Sequence, residues 1–172
     1  MDDSRTSGTS VSVMKKDKYL QAKFPVIIDT REQTPWVFSG IIHQRIPVTI
    51  RTVVQKLKTG DYSLHPYADQ FAVERKSPQD LVNTVCRGRD RFERELARLD
   101  AMEFGCVIVE EQWKELMVWC AENTRYSPVS LDSSILAWNQ RFKNVQWYFR
   151  PGRYAAMKTA FKLMDRWWRD HQ

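Results

Sequence analysis

The segment 71–80 takes the chain from a β-strand into a helix with no room for a loop between them. Three apolar residues lead into the charged triplet Glu74, Arg75 and Lys76. Because residues two apart on a strand point to the same face, we expect Glu74 and Lys76 to project together and Arg75 to the opposite side. The serine and proline that follow are typical of the N-cap and the first position of a helix.

A second acid is predicted to lie beside this triplet. Asp61 follows a glycine and begins a short apolar stretch, and residues 65–70 have the composition of a turn. Pairing of the two strands would bring Asp61 near Glu74. Two carboxylates offer the oxygen ligands that a hard divalent cation prefers, and the ammonium of Lys76 can orient or deprotonate water. This combination is what metal-assisted hydrolysis of a phosphodiester requires.

A cluster of polar residues follows the first apolar run of the chain. Residues 24–28 have the pattern of a buried strand, and Asp29, Arg31, Glu32 and Gln33 come directly after it. Open sheets bind ligands at the carboxyl ends of their strands, which favours a site here. The alternative is structural: Asp29 caps a turn and Arg31 pairs with Glu32.

Charged residues on the two predicted helices after the triplet have two interpretations each. Asp80 lies in a first helical turn, where the helix dipole favours an acid, so its role can be purely structural. A glycine separates this helix from a second one, on which Arg91, Arg94 and Arg98 recur at spacings of three and four. That shared face can contact phosphates or can be an ordinary solvated face paired with nearby acids.

The remaining segments alternate between strand and helix patterns. Strands are predicted at residues 48–54, 104–109 and 145–149, and helices at 113–120, 128–142 and from about 152 to the end. This alternation predicts an α/β sheet with helices on its faces. The last helix has a wide apolar face, which predicts either core packing or a dimer interface, formed by Tyr154, Met157, Ala160, Phe161, Met164, Trp167 and Trp168.

Length and charge fit one domain that binds a polyanion. The chain has 172 residues and a net charge of +6. Residues 1–20 are predicted to be a flexible tail, and residues 21–172 the folded domain. The three cysteines are widely spaced and form no metal motif, which favours buried reduced thiols in an intracellular protein of the cytoplasm or nucleus. No signal peptide or membrane-spanning run is recognisable, so no membrane partner is expected.

In this order and spacing, the motifs resemble the nuclease domain of the XPF family of structure-specific DNA endonucleases. That family shows Asp-x-Arg-Glu after its first strand, then Gly-Asp, then Glu-Arg-Lys-x-x-x-Asp. These elements stand here at residues 29–32, 60–61 and 74–80. The similarity extends over roughly residues 25–149. It implies a restriction-endonuclease-like core, with a mixed sheet flanked by helices on both faces.

The resemblance also implies metal-dependent cleavage of branched, forked or flapped DNA. The metal would be Mg²⁺, which Mn²⁺ can replace, held by Asp29, Asp61, Glu74 and the main-chain carbonyl of Arg75. Lys76 would handle the attacking water. The site would be completed by Arg31, Glu32 and Asp80. The expected DNA contacts are Gln33, Arg91, Arg94 and Arg98.

One departure from the family and one shared feature bear on partners. The tandem helix-hairpin-helix module of the family is not expected, since residues 150–172 suffice for one helix only. Family members commonly dimerise through the nuclease domain, so a homodimer or heterodimer is expected. The alternative function is a non-catalytic DNA-binding or scaffold subunit. Such partners have lost the acids or the lysine, whereas this chain retains them, which favours the enzyme.

Overall fold

The computed structural model describes residues 20–43 and 45–172. Its strands are β1 (Leu20–Gln21), β2 (Val26–Ile28), β3 (Ile42–His43), β4 (Ile46–Thr49), β5 (Thr52–Val54), β6 (Tyr62–Leu64), β7 (Phe71–Lys76), β8 (Phe104–Val109) and β9 (Val145–Phe149). Its helices are α1 (Pro78–Arg87), α2 (Arg89–Asp100), α3 (Trp113–Asn123), α4 (Pro128–Arg141) and α5 (Gly152–Asp170). The tail predicted for residues 1–20 lies outside the described residues, Leu20 excepted.

A six-stranded mixed sheet with the order β5-β2-β6-β7-β8-β9 forms the centre of the fold. Strand β6 runs antiparallel to both of its neighbours, and the other pairs are parallel. Side chains of α1 to α4 pack on one face of this sheet, and those of α5 on the other. The predicted α/β class, with helices on both faces of a mixed sheet, is confirmed.

Strand β7 shows why its side chains reach two different environments. Phe71 and Val73 pack in the core beneath α5, whereas Ala72 packs in the core beneath α1 to α4. The alternation continues into the charged triplet, as a pleated strand requires. Glu74 and Lys76 therefore lie on the side of α1 and α2, and their side chains form an ion pair. This part of the sequence prediction is confirmed.

The prediction of a single strand at residues 48–54 is wrong, because the segment belongs to two strands in different sheets. Strand β4 ends at Thr49 and lies in a small sheet with the order β1-β4-β3. Strand β5 begins at Thr52 and pairs in parallel with β2 at the edge of the large sheet. Because β-branched residues favour an extended backbone in either sheet, the composition of this segment did not indicate where the chain changes partners.

The start of α1 has the predicted cap. The side chain of Ser77 accepts a hydrogen bond from the backbone N–H of Asp80 at 3.1 Å, and its hydroxyl donates to the Asp80 carboxylate at 2.6 Å. Gly88 ends the helix by donating its N–H to the carbonyl of Thr84. The helix pair predicted on either side of Gly88 is confirmed, and the structural role considered for Asp80 is observed.

The apolar face of α5 packs into the core of its own chain. Met157, Phe161 and Met164 are buried, and Trp167 and Trp168 are half-buried against the same cluster. Core packing is therefore confirmed for this face except at Tyr154, whose side chain is exposed, and a dimer stays a prediction. In the described part of the chain, no helix has the length and apolarity needed to cross a membrane.

The three cysteines are free thiols in unlike environments. Cys106 and Cys120 are buried, as predicted, whereas Cys86 is exposed near the end of α1. The prediction of a buried thiol is wrong for Cys86, which lies next to the buried face of α1 and not on it. Leu81, Val82 and Val85 supply the buried face of that helix.

Candidate active site

A cavity of about 810 Å³ opens where β7 runs into α1, beside α2. Its lining brings together most of the residues predicted for the site, namely Arg31, Glu32, Gln33, Asp61, Glu74, Arg75, Lys76, Asp80, Arg91 and Arg98. Asp29 and Arg94 are not part of the lining. Residues from all three sequence motifs, at 29–32, 60–61 and 74–80, thus line one cavity.

Asp61 is held in place by the backbone of the neighbouring strands. Its N–H donates to the carbonyl of Val73 at 2.8 Å, and its carboxylate accepts from the N–H of Arg75 at 2.8 Å. Gly60 precedes it with a φ of +74°, and a Cβ there would lie 2.9 Å from the Val73 carbonyl oxygen. Only glycine fits this approach without strain, so Gly60 fixes where Asp61 enters the cavity.

Glu74 and Lys76 form a buried ion pair at the floor of the cavity. The Lys76 Nζ lies 2.7 Å from the Glu74 Oε1, and the two side chains are 14% and 5% exposed. The ammonium also lies 4.8 Å from the centre of the Phe92 ring. Burial lowers the pKa of Lys76. The charge of Glu74 and its hydrogen bond raise the pKa by more than burial lowers it, so the net shift is upward. A protonated lysine can orient water or stabilise negative charge, but it cannot accept a proton.

The two carboxylates oppose one another in a poorly solvated place. Burial raises the pKa of Asp61, and the charge of Glu32 raises it further. Burial likewise raises the pKa of Glu74, followed by the charge of Asp61. A cation placed between these groups would remove the repulsion.

The donor set can be compared with what Mg²⁺ requires. Within residues 20–43 and 45–172, no group of three or more His, Cys, Asp or Glu side chains is arranged to hold a metal ion by itself. Mg²⁺, however, is usually bound through one or two carboxylates, with water and substrate phosphate as the other ligands. Asp61 and Glu74 can supply those two carboxylates. The main-chain carbonyl of Arg75 lies on β7 between Glu74 and Lys76 and is a further oxygen donor.

Asp29 is engaged in a different set of contacts. Its carboxylate accepts hydrogen bonds from Nε of Arg31 at 2.6 Å, from the Arg31 N–H at 2.9 Å and from the Leu57 N–H at 2.6 Å. Burial raises the pKa of Asp29, but these hydrogen bonds together lower it. The structural alternative from the sequence is thus what is observed here, with Arg31 paired to Asp29 rather than to Glu32. A metal role for Asp29 would require these contacts to rearrange and stays a prediction.

An ion-pair network that the sequence did not reveal lies on the other face of β7. The Arg75 guanidinium donates to both carboxylate oxygens of Glu110, at 2.7 and 2.9 Å. It also lies 3.5 Å from the Glu32 carboxylate and donates to the Thr34 hydroxyl at 3.1 Å. Trp36 donates its indole N–H to the same Glu110 carboxylate at 2.7 Å. This network fixes the loop that carries Glu32 and Thr34 against β7 and β8.

Glu95 is a site residue that sequence reasoning missed. It lines the cavity from α2, and its negative charge contributes to raising the pKa of Asp61 and of Glu74. Its ion-pair distance to Arg98 is 3.8 Å. The signal was present in the sequence, because Arg91, Glu95 and Arg98 recur at spacings of four and three and must share one helix face.

The four residues predicted to contact DNA lie in two neighbouring surface depressions. Gln33, Arg91 and Arg98 line the cavity with exposed side chains. Arg94 instead lines a smaller recess next to it, with Arg91 at the boundary between the two. The arginine face of α2 is therefore exposed and reaches the cavity.

Comparison with known proteins agrees with this fold and with the motifs. The family model described as the ERCC4 domain matches residues 28–151. XPF from Aeropyrum pernix is similar in structure, with a TM-score of 0.57 at 20% sequence identity over 83% of this chain and 62% of that one. The structure of XPF from Aeropyrum pernix in complex with DNA gives a TM-score of 0.55 at 18% identity, over 87% of this chain and 67% of that chain.

These similarities differ in what they establish. At 18 to 20% identity the structural matches show the fold. The chain spans about 62% of the first of these two structures. No match is found among curated protein sequences. The family model, by contrast, covers most of the chain and includes all three motifs, so the predicted family is confirmed. This chain belongs to the ERCC4 domain family.

Proposed function

We propose that this chain is a Mg²⁺-dependent endonuclease that hydrolyses phosphodiester bonds in branched, forked or flapped DNA. The observation that carries the proposal is the meeting of Asp61, Glu74 and Lys76 in a cavity whose other wall holds Arg91 and Arg98. Acids alone would repel an anionic backbone. Acids that hold a cation, beside exposed arginines, suit a phosphodiester substrate.

The side chains then take distinct roles. Bound Mg²⁺, or Mn²⁺ in its place, neutralises phosphate oxygens and lowers the pKa of water. Asp61 and Glu74, with the main-chain carbonyl of Arg75, would hold the ion. Lys76 orients the attacking water by donating a hydrogen bond, which agrees with its raised pKa. Arg91 holds the phosphate backbone at the opposite wall.

Two further parts of the proposal concern assembly and location. A homodimer or heterodimer is expected, and its interface would lie elsewhere than the buried face of α5, which the chain's own core occupies. An enzyme with this substrate would act inside the cell, where DNA is found. Size-exclusion chromatography with light scattering tests the first point, and a monomer at all concentrations would contradict it.

We expect replacement of Lys76 by alanine to reduce cleavage about 10²- to 10³-fold, because a donor aimed at developing charge is worth that much. The measurement is single-turnover cleavage of an end-labelled forked or flapped duplex in Mg²⁺, beside plain duplex and single strands of the same sequence. Lys58→Ala is the matched control, since Lys58 is exposed and pairs with Asp69 at the surface.

Three results of this experiment would count against the proposal. Cleavage that persists in a chelator contradicts the metal mechanism. Equal rates for wild type and Lys76→Ala contradict the role of the lysine. No cleavage of any DNA by a folded protein favours the scaffold subunit instead.

We expect Mg²⁺ to stabilise the protein in proportion to its occupancy. A ligand at 100 times its Kd adds about 2.7 kcal/mol, or about 5–10 °C in melting temperature for a domain of this size. Differential scanning calorimetry with Mg²⁺, Mn²⁺ and a chelator measures this shift without DNA or activity. A melting temperature that is the same in all three solutions would show that the carboxylates hold no metal.

A further inference from the structure

A second recess opens beside the active-site cavity, at the joint between α1 and α2. Its volume is about 330 Å³, and we call it the arginine recess after the residues Arg87, Arg89, Arg91 and Arg94 that line it. Arg87, Gly88 and Arg91 line both the recess and the active-site cavity. The two are therefore adjacent parts of one surface.

One of the four arginines is already engaged within the fold. Arg89 lies 3.2 Å from the Glu93 carboxylate and donates to the Ser134 hydroxyl at 2.9 Å. Its guanidinium carbon lies 5.0 Å from the centre of the Trp138 ring. These contacts join α2 to α4, so Arg89 has a structural role, and it shares the Glu93 carboxylate with Arg141.

The other three arginines lack such partners. Arg87, Arg91 and Arg94 have exposed side chains and form no ion pair in the part of the chain that the structure describes. Asp90 is the one acid in the lining of the recess. Three exposed cations on two adjoining concave surfaces, with no acid among the described residues paired to any of them, are available to an anionic ligand.

Structural roles account for only part of this arrangement. Arg87 lies in the last turn of α1, where the helix dipole favours a cation. Arg94 lies in the middle of α2, away from both helix ends. At Gly88 the carbonyl end of α1 meets the N–H end of α2, so the potentials of the two helix ends offset one another. The positive charge of the recess therefore comes from its arginine side chains, of which Arg94 has no role at a helix end.

We propose that the arginine recess binds the DNA phosphate backbone next to the scissile phosphate, so that the DNA leaves the active site across the α1–α2 joint. The proposal rests on the nuclease function proposed above. Arg87 and Arg94 would each neutralise a phosphate. Arg91 would connect these contacts with the active-site cavity. Because the recess has no aromatic side chain on which a base could stack, we expect recognition of the backbone and not of sequence.

The test is the salt dependence of DNA binding by the full chain in a chelator, where cleavage does not interfere. Each phosphate contact contributes about 0.9 to the slope of log K against log salt concentration. For Arg87→Ala/Arg94→Ala we expect a slope shallower by about 2. Between about 50 and 200 mM salt, wild type should then lose about tenfold more affinity than this variant. Calorimetric melting of each variant checks that it is folded.

Two further pairs of substitutions keep the result interpretable. Arg51→Ala/Arg125→Ala removes the same net charge from exposed arginines that line neither cavity and should leave the slope nearly unchanged. Arg87→Lys/Arg94→Lys keeps the charge and should keep the wild-type slope. A wild-type slope in Arg87→Ala/Arg94→Ala, or an equally large loss of slope in Arg51→Ala/Arg125→Ala, would overturn the proposal.

Failure of the nuclease function would look different. A protein that cuts no DNA in Mg²⁺, but whose binding slope still depends on the arginine recess, would refute the proposed activity and leave this interaction surface standing. A protein that cuts DNA in Mg²⁺, but whose binding slope is the same with and without Arg87 and Arg94, would support the proposed activity and refute the proposed interaction surface.

Discussion

Replacement of Asp61 by asparagine should reduce DNA cleavage on the order of 10⁴-fold, because metal assistance supplies several kcal/mol of the activation free energy and each 1.36 kcal/mol is a factor of ten. Asparagine has nearly the same shape as aspartate. Its carbonyl oxygen can still accept the Arg75 N–H that Asp61 accepts at 2.8 Å. What the substitution removes is the charge that would hold the ion.

The same substitution should raise the melting temperature of the metal-free protein by a few degrees. Burial, and then the charge of Glu32, raise the pKa of Asp61 to about 6 in the folded state, from an ordinary value of 3.8. The ionised form is therefore penalised by folding. That penalty is small below about pH 4, grows between about 4 and 6, and is complete above 6. Asparagine carries no such penalty.

The pH dependence makes this prediction specific. In a chelator, the gain in melting temperature of Asp61→Asn over wild type should be largest at pH 7 to 8 and shrink as the pH falls towards 4. Mg²⁺ should no longer shift the melting temperature of the variant. Asp69→Asn is the matched control, because Asp69 is exposed and pairs with Lys58 at the surface. Cleavage by Asp61→Asn within tenfold of wild type would contradict its place in the site.

The site residues that the sequence predicted well are those set by local geometry. Alternation along β7 placed Glu74 and Lys76 on one face and Arg75 on the other, because the pleat leaves no choice. Ser77 and Asp80 followed from capping chemistry, which also acts within one turn. Such features need no knowledge of distant parts of the chain.

The features that the sequence did not predict depend on distant backbone. Asp29 is held by the N–H of Leu57, which reaches it because β5 pairs with β2. Glu110 faces Arg75 because β8 lies parallel to β7 in a register that pairs Lys76 with Val109. Register is set by packing of the whole sheet, so neither contact had a signal at the level of sequence spacing.

That register leads to the largest predicted effect on stability. Glu110 accepts hydrogen bonds from Arg75 and from Trp36, and its carboxylate also lies 3.5 Å from Arg153 of α5. The Arg75 and Glu110 side chains are 10% and 9% exposed. Removing one partner of a buried ion pair costs about 3–5 kcal/mol, since the other charge is left uncompensated. For a domain of this size, Glu110→Ala should lower the melting temperature by about 6–20 °C.

A series at the same position separates charge from hydrogen bonding. Glu110→Gln keeps an acceptor for the Trp36 indole N–H but leaves the Arg75 guanidinium with the more distant Glu32 carboxylate as its anionic partner. It should therefore melt between Glu110→Ala and wild type. Arg75→Met/Glu110→Gln also removes the unmatched cation and should recover most of the loss, because an apolar replacement of a buried ion pair is often neutral. If Glu110→Ala melts within about 2 °C of wild type, a shift worth only about 1 kcal/mol, the network does not stabilise the loop that carries Glu32.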